Sequence, residues 1–366
     1  MKVAYITPEF LTEDNFDGGL SNYLYKTSLH LKKFQIEPYI IVSSNKDEEI
    51  LFEGIKVFKV KIKEIILFKI LNKITRYKIY TSLSFVNTSL QLVKRVKNLN
   101  KIYNFDIIQH PSFLTSCIFK IKNKPNIVRI SSYWKNYFKE SGRKISIDDK
   151  ILIFLEKLSI KKADYVFCPS LLFKKLINLD INKEIKIIET PINIIKPEMD
   201  PKIFEKKLIG KKYILFFGTL SYKKGLITVK EMLFDFLKKY SEYYFVFVGR
   251  DEGYLGKKII DYLRESADIF QSRIIYLGKL KHEQLFPIIN KADFIIIPSR
   301  IDNFPNTCLE SMYLKKIDEI MNLDDVDKKK IQEAAYKKIL DFRPEITIKK
   351  LINYYNSVLN DYKKNK

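Results

Sequence analysis

The sequence predicts an α/β protein built from two doubly wound domains that face one another, and three observations carry that expectation. Short apolar runs rich in Ile, Val, Tyr and Phe alternate with longer segments of helical period, the order expected of parallel sheets with right-handed crossovers. Several of the runs (YILFF, YFVFV, FIIIP) are apolar without alternation, as strands covered on both faces must be. Finally, 366 residues are too many for one ordinary core of ~100–200, and a proline-punctuated segment, Pro191–Pro201, divides the chain.

The first set of strands is expected at Lys2–Thr7, Pro38–Ser43, Phe105–Gln109, Asn126–Ile130, Tyr165–Pro169 and Lys186–Glu189. The second set is expected at Tyr213–Phe217, Tyr243–Val248, Arg273–Leu277 and Phe294–Pro298. Helical spacing joins them, as in Leu20, Tyr23, Leu24, Leu31 and in Met232, Leu233, Phe236, Leu237. The division that follows is a first domain over 1–195, a linker over 196–211 and a second domain over 212–343. A last amphipathic helix within 344–366, patterned over Ile346–Tyr362, packs back on the first domain.

Composition narrows the class. With 46% hydrophobic residues the chain can bury sizeable cores, and 11 Gly and 12 Pro exclude collagen-like or low-complexity architecture. Cys117, Cys168 and Cys308 lie far apart with no CxxC pair, against a disulfide framework or structural zinc site. No apolar run reaches the ~18 residues of a membrane span. The N-terminus enters a strand without a signal peptide, so a soluble, cytoplasmic protein is expected. The formal charge of +23 is compatible with nucleic acid, anionic lipid or a phosphorylated substrate, or simply with lysine-loaded solvated faces. Lys56–Tyr80 is denser than the rest: apolar residues alternate with Lys61, Lys63, Lys69, Lys73, Arg76 and Lys78, as in a basic amphipathic surface helix.

Three segments carry candidate chemistry, each following an expected strand. Gly18-Gly19-Leu20-Ser21 opens a helix, where paired glycines let backbone amides approach a phosphate; two glycines also make a plain turn. Gly218 through Gly225 brings Lys223 and Lys224 to a helix N-terminus, where a diphosphate leaving group could be neutralised; a solvated Lys-Lys-Gly turn is the plainer alternative. Pro298-Ser299-Arg300-Ile301-Asp302-Asn303-Phe304-Pro305-Asn306-Thr307 and Glu310 set two carboxylates around a polar loop at the strand edge where open α/β sheets take ligands. The same residues also read as an ordinary helix start.

Together these motifs resemble a family 4 glycosyltransferase of the two-domain, Rossmann-like GT-B class, of the kind that assembles polysaccharides. The Gly18-Gly19 loop, Ala163 to Ser170, Lys224-Gly225 and Asp302…Glu310 within PSR-DNFPNT-LESM carry the resemblance. It implies a retaining transfer of a sugar from a nucleotide-diphosphate donor, with no metal or other cofactor, to a glycan or lipid-linked acceptor. It further implies that Glu310 holds the nucleotide ribose, and that Asp302, Phe304, Asn306 and Thr307 hold the donor sugar. Gly18, Gly19, Lys223 and Lys224 would then hold the phosphates, with His110 near the acceptor. The catalytic candidates are therefore Asp302, Lys224 and His110, and Gly19, Lys224 and Glu310 are expected to meet around one pyrophosphate-ribose unit. Surface polysaccharide synthesis (lipopolysaccharide or capsule) would place the protein on the inner face of the plasma membrane, with Lys56–Tyr80 against anionic headgroups.

The chain departs from the family pattern in three places. Thr219 stands where the family has Arg, so a phosphate contact is missing or comes from Lys223. Asp302 stands for the commoner Glu. After Met312 roughly 30 residues, about one strand–turn–helix unit, are expected to be absent. That departure keeps a second reading open, a non-catalytic nucleotide-sugar-binding protein of the same fold. Nucleic-acid binding rests on charge alone, and no recognisable module supports it. Asp324-Asp325-Val326-Asp327 is read as acidic residues at a helix start and not as a metal motif. The scattered His30, His110 and His282 support neither zinc nor a hydrolase triad.

Overall fold

The computed structural model describes residues 1–13, 19–192, 199–302, 338 and 340–364. It divides into two compact units, one formed by Met1–Lys139, Arg143–Asn193 and Phe342–Lys366, the other by Glu140–Gly142 and Ile194–Asp341.

In the first unit the strands are β1 (Lys2–Thr7), β2 (Glu37–Ser44), β3 (Glu48–Phe52), β4 (Ile55–Lys61), β5 (Ile107–Pro111), β6 (Asn126–Arg129), β7 (Tyr165–Cys168) and β8 (Lys186–Ile187). They form one sheet ordered β3-β4-β2-β1-β5-β6-β7-β8, parallel except for the β3–β4 pair. The helices are α1 (Gly19–Lys33), α2 (Ile66–Ile74), α3 (Tyr80–Tyr103), α4 (Trp134–Lys139), α5 (Ile147–Lys162) and α6 (Leu171–Asn178). The two-residue period of a strand sorts the core cleanly. Val3, Tyr5, Ile40 and Val42 pack with Leu24 and Leu31 of α1, whereas Ala4, Ile6, Tyr39 and Ile41 pack with Leu92, Val93 and Val96 of α3 on the other face.

The second unit contains α7 (Lys202–Lys207), β9 (Lys212–Phe217), α8 (Leu226–Lys239), β10 (Tyr243–Val248), α9 (Ile259–Ala267), β11 (Ile274–Tyr276), α10 (His282–Lys291) and β12 (Phe294–Ile295). Its four strands are parallel in the order β11-β10-β9-β12. Ile214, Phe216, Phe245 and Phe247 meet α8 and α9 on one face; Tyr213, Leu215 and Val246 meet Ile288 and Ile289 of α10 on the other. The chain therefore changes faces between β9 and β12, the switch point at which doubly wound sheets bind ligands. The last helix, α11 (Pro344–Lys364), belongs to the first unit: Ile348, Leu351, Tyr355 and Val358 enter the core beneath α1. There Tyr355 donates from its hydroxyl to Gln109 Oε1 (2.6 Å).

Both units have the expected α/β class with parallel-strand sheets. One expectation is corrected. Lys56–Tyr80 is not a single helix, because its first part is β4, with Val57, Phe58 and Val60 buried, α2 covers Ile66–Ile74, and Tyr80 already begins α3. Lys59 interrupts that strand's apolar run yet is only 8% exposed. Its ammonium donates to Thr12 O (2.9 Å) and lies 3.2 Å from Glu13 Oε1, partners no local pattern reveals. The expected gap after Met312 lies outside the described residues.

Candidate functional site

In the second unit, β9 runs into Gly218 (φ +128°), a 3₁₀ turn over Tyr222–Lys224, and Gly225 (φ +74°), from which α8 starts. These glycines are required by close approach. A Cβ on Gly225 would lie 1.9 Å from Pro298 O, and one on the neighbouring strand-end Gly249 would lie 1.8 Å from Gly218 O. The loop is thereby pressed against the segment that follows β12. The Arg300 amide donates to Lys223 O (2.9 Å), and the Lys224 ammonium donates to Asp302 Oδ2 at 2.5 Å. Both of those side chains remain 22% exposed, so the pair is formed but reachable. Tyr222 stacks on Tyr254 (centroids 4.7 Å apart) and underlies the Arg300 guanidinium, which stiffens the turn. Gly225 brings no side-chain cap to α8, whose Thr228 amide turns back onto Gly225 O (3.0 Å).

Sequence reasoning brought together Lys223, Lys224 and Asp302, and the structure places them at one switch point. Gly18, Phe304, Asn306, Thr307 and Glu310 lie outside the described residues. Sequence reasoning missed Ser221, one residue before the turn. It is 5% exposed, and its hydroxyl is buried without a hydrogen-bond partner beside Lys224. No sequence signal marks it, because an unpaired hydroxyl is visible only once its neighbours are placed.

In the first unit, Gly19 begins α1, and a Cβ there would meet nothing within 4 Å, so space does not demand glycine. The amide of Ser21 donates to Glu9 Oε1 (3.3 Å), which puts a carboxylate where an anion was expected. His110, expected near the acceptor, sits inside the core of the first unit. It is 1% exposed on β5, with Nδ1 2.9 Å from Ser116 Oγ and Nε2 3.2 Å from Asn126 Oδ1. Burial pulls its imidazole down to about 4, so it is neutral with both ring nitrogens engaged by the fold. Arg129, at the end of β6, was not singled out by sequence. It is buried over the Tyr23 ring (3.6 Å) and donates to the hydroxyls of Ser131 and Thr190.

Among the described residues no group of His, Cys, Asp or Glu is arranged to hold a metal, and no helix is long and apolar enough to cross a membrane.

This fold is shared with known glycosyltransferases of the GT-B class. Residues 199–317 match the family described as Glycosyl transferases group 1. No curated protein matches the chain. Among solved structures, a sucrose-phosphate synthase from Thermosynechococcus elongatus is similar at 13% identity and a TM-score of 0.70, over 98% of this chain and 99% of that one. An Anabaena protein, Alr3699/HepE, solved with UDP and glucose, is similar at 14% identity and a TM-score of 0.62, over 98% and 100%. The lipopolysaccharide outer core galactosyltransferase WaaB is similar at 16% identity and a TM-score of 0.59, over 98% and 99%.

Proposed function

We infer that the protein is a glycosyltransferase whose second unit binds a nucleotide-diphosphate sugar at the loops after β9 and β12. The observation that carries this reading is the Lys224–Asp302 pair (2.5 Å) at the switch point, next to the uncapped start of α8. A diphosphate there meets an ammonium, helix amides and the unpaired Ser221 hydroxyl. In the reaction the C1–O bond from the sugar to the β-phosphate breaks and a bond from C1 to an acceptor hydroxyl forms. The hydroxyl proton passes to the departing diphosphate. Lys224 offsets the charge that grows on that leaving group, and Asp302 holds Lys224 in place and receives the donor sugar's hydroxyls. No metal or further cofactor takes part. The match of residues 199–317 to the glycosyltransferase family and the UDP and glucose complex of a similar structure support this assignment.

In finer terms, Gly18, Gly19, Lys223, Phe304, Asn306, Thr307 and Glu310 complete the donor site. Transfer proceeds with retention to a glycan or lipid-linked acceptor in surface polysaccharide synthesis, at the cytoplasmic face of the plasma membrane. The test is turnover with a panel of sugar nucleotides and a lipid-extract acceptor, with the product's anomeric configuration read by NMR. A product of inverted configuration contradicts retention. Donor binding without product replaces the enzyme by the non-catalytic nucleotide-sugar-binding reading.

A further inference from the structure

The first unit carries a second cationic feature, remote in sequence from the donor loops. An open groove of about 1090 Å³ is lined by seven lysines and one acid, Glu64. Lys120 is paired with Asp164 (2.6 Å). Lys63, Lys94, Lys97, Lys122 and Lys161 are exposed, and no carboxylate lies within ion-pair distance of them among the described residues. Lysines sharing one groove give it a positive potential that an anion would offset. Glu64 and Ile65 at the groove's rim lead directly into α2, whose outward side is apolar. Ile66, Ile70 and Ile74 follow one another at four-residue spacing on that side, and Ile66 and Ile74 are 75% and 71% exposed.

Beside that stripe run Lys69 and Lys73, and Tyr77 and Tyr80 stand exposed just past the helix with their rings 6.2 Å apart. Beneath α2 a hollow of about 340 Å³ is lined by Phe68, Asn72 and both tyrosines. Asn72 is 3% exposed, and its Oδ1 has no donor. An apolar stripe in water, flanked by lysines and amphipathic aromatics, gains free energy only where an apolar phase begins beneath an anionic layer. Nucleic acid would pair with the lysines but has no use for the isoleucines.

We propose that α2 and the adjoining lysine groove form one docking site for an anionic lipid bilayer. The Ile66–Ile70–Ile74 side enters the headgroup–acyl boundary, and the groove lysines take lipid phosphates. The site rests on the first unit's surface alone; the transferase reading supplies only its purpose, to bring a lipid-borne acceptor within reach.

Flotation of the full chain with phosphatidylcholine vesicles, with and without about one-third phosphatidylglycerol, tests the idea over a range of salt. Binding is expected only to the anionic vesicles and to fall as salt rises. The triple change Ile66→Ser, Ile70→Ser, Ile74→Ser abolishes it. Lys94→Gln, Lys97→Gln, Lys122→Gln weakens it about fivefold per lysine, ~100-fold together. All six side chains are exposed, and an unchanged melting curve confirms that each variant is folded. Equal binding to neutral vesicles overturns the proposal, as does undiminished binding by either triple variant. So does a groove that binds only soluble inorganic polyphosphate or a DNA duplex and no vesicle. Sugar-nucleotide binding measured on the same variants stays at the wild-type level, so failure of the donor reading and failure of this one are told apart.

Discussion

Gly225→Ala is the perturbation that bears most closely on the geometry of the donor loops. Its φ of +74° costs a residue with a Cβ about 1–2 kcal/mol. The new methyl would also lie 1.9 Å from Pro298 O, a backbone atom that cannot rotate away. Relieving that contact means moving the Pro298–Asp302 segment, for which overpacking costs of about 1–3 kcal/mol are typical, giving ~2–5 kcal/mol together. The same movement draws Asp302 away from Lys224 and the Arg300 amide away from Lys223 O. Gly210→Ala is the control, since its φ is also +74° but nothing lies within 4 Å of the added Cβ. Thermal unfolding should show a loss of at least about 5 °C for Gly225→Ala, with weakened sugar-nucleotide binding, and a clearly smaller loss for Gly210→Ala. Equal melting temperatures for the two variants, or wild-type donor binding by Gly225→Ala, would refute the reasoning.

Two buried groups should give opposite pH dependences of stability. His110 is held at about 4 against about 6.5 when unfolded, so the unfolded chain binds the extra proton. Its contribution, of the order of 3 kcal/mol, is present above pH ~6.5 and lost as pH falls toward ~4. In His110→Gln, acid denaturation should lose that slope. Glu156 is fully buried, with Oε2 accepting from the Trp134 amide (2.6 Å) and Oε1 unpartnered, and burial pushes it up to about 8. The folded chain therefore keeps a proton that the unfolded chain releases, and stability falls as pH rises from ~4.5 to ~8. Glu156→Gln keeps the acceptor and removes the titration, so it should stabilise the protein by ~4 kcal/mol near pH 8 and leave it little changed near pH 4, read by urea unfolding at both pH values.

The strands were legible because a parallel sheet covered on both faces writes unbroken apolar runs. β1 and β10 fall at the expected residues, and the other expected strands differ by one to a few positions at their ends. The β3–β4 hairpin was not legible. Its turn, Glu53-Gly54, has positive φ at both residues, and Phe52 pairs with Ile55 across it. Alternating lysines made β4 look like part of a surface helix, and the burial of Lys59 depends on Glu13 and Thr12, more than forty residues away. At the candidate site, Lys224 and Asp302 could be paired from sequence because both follow strands that flank a switch point. Ser221 could not, since an unpaired hydroxyl is visible only once its neighbours are placed. The partners of His110 were not legible either: Ser116 and Asn126 meet its two ring nitrogens within the core, and neither lies at a spacing that marks it.

Thermal-shift titration of the wild type and Lys224→Met with UDP-, GDP- and ADP-sugars measures the donor site itself. At a hundredfold excess over its Kd, at least one nucleoside-diphosphate sugar should stabilise the wild type by ~2.7 kcal/mol, and the same ligand should leave Lys224→Met nearly unmoved. Stabilisation of both proteins alike, or of neither by any member of the series, would contradict a diphosphate held between the β9 and β12 loops.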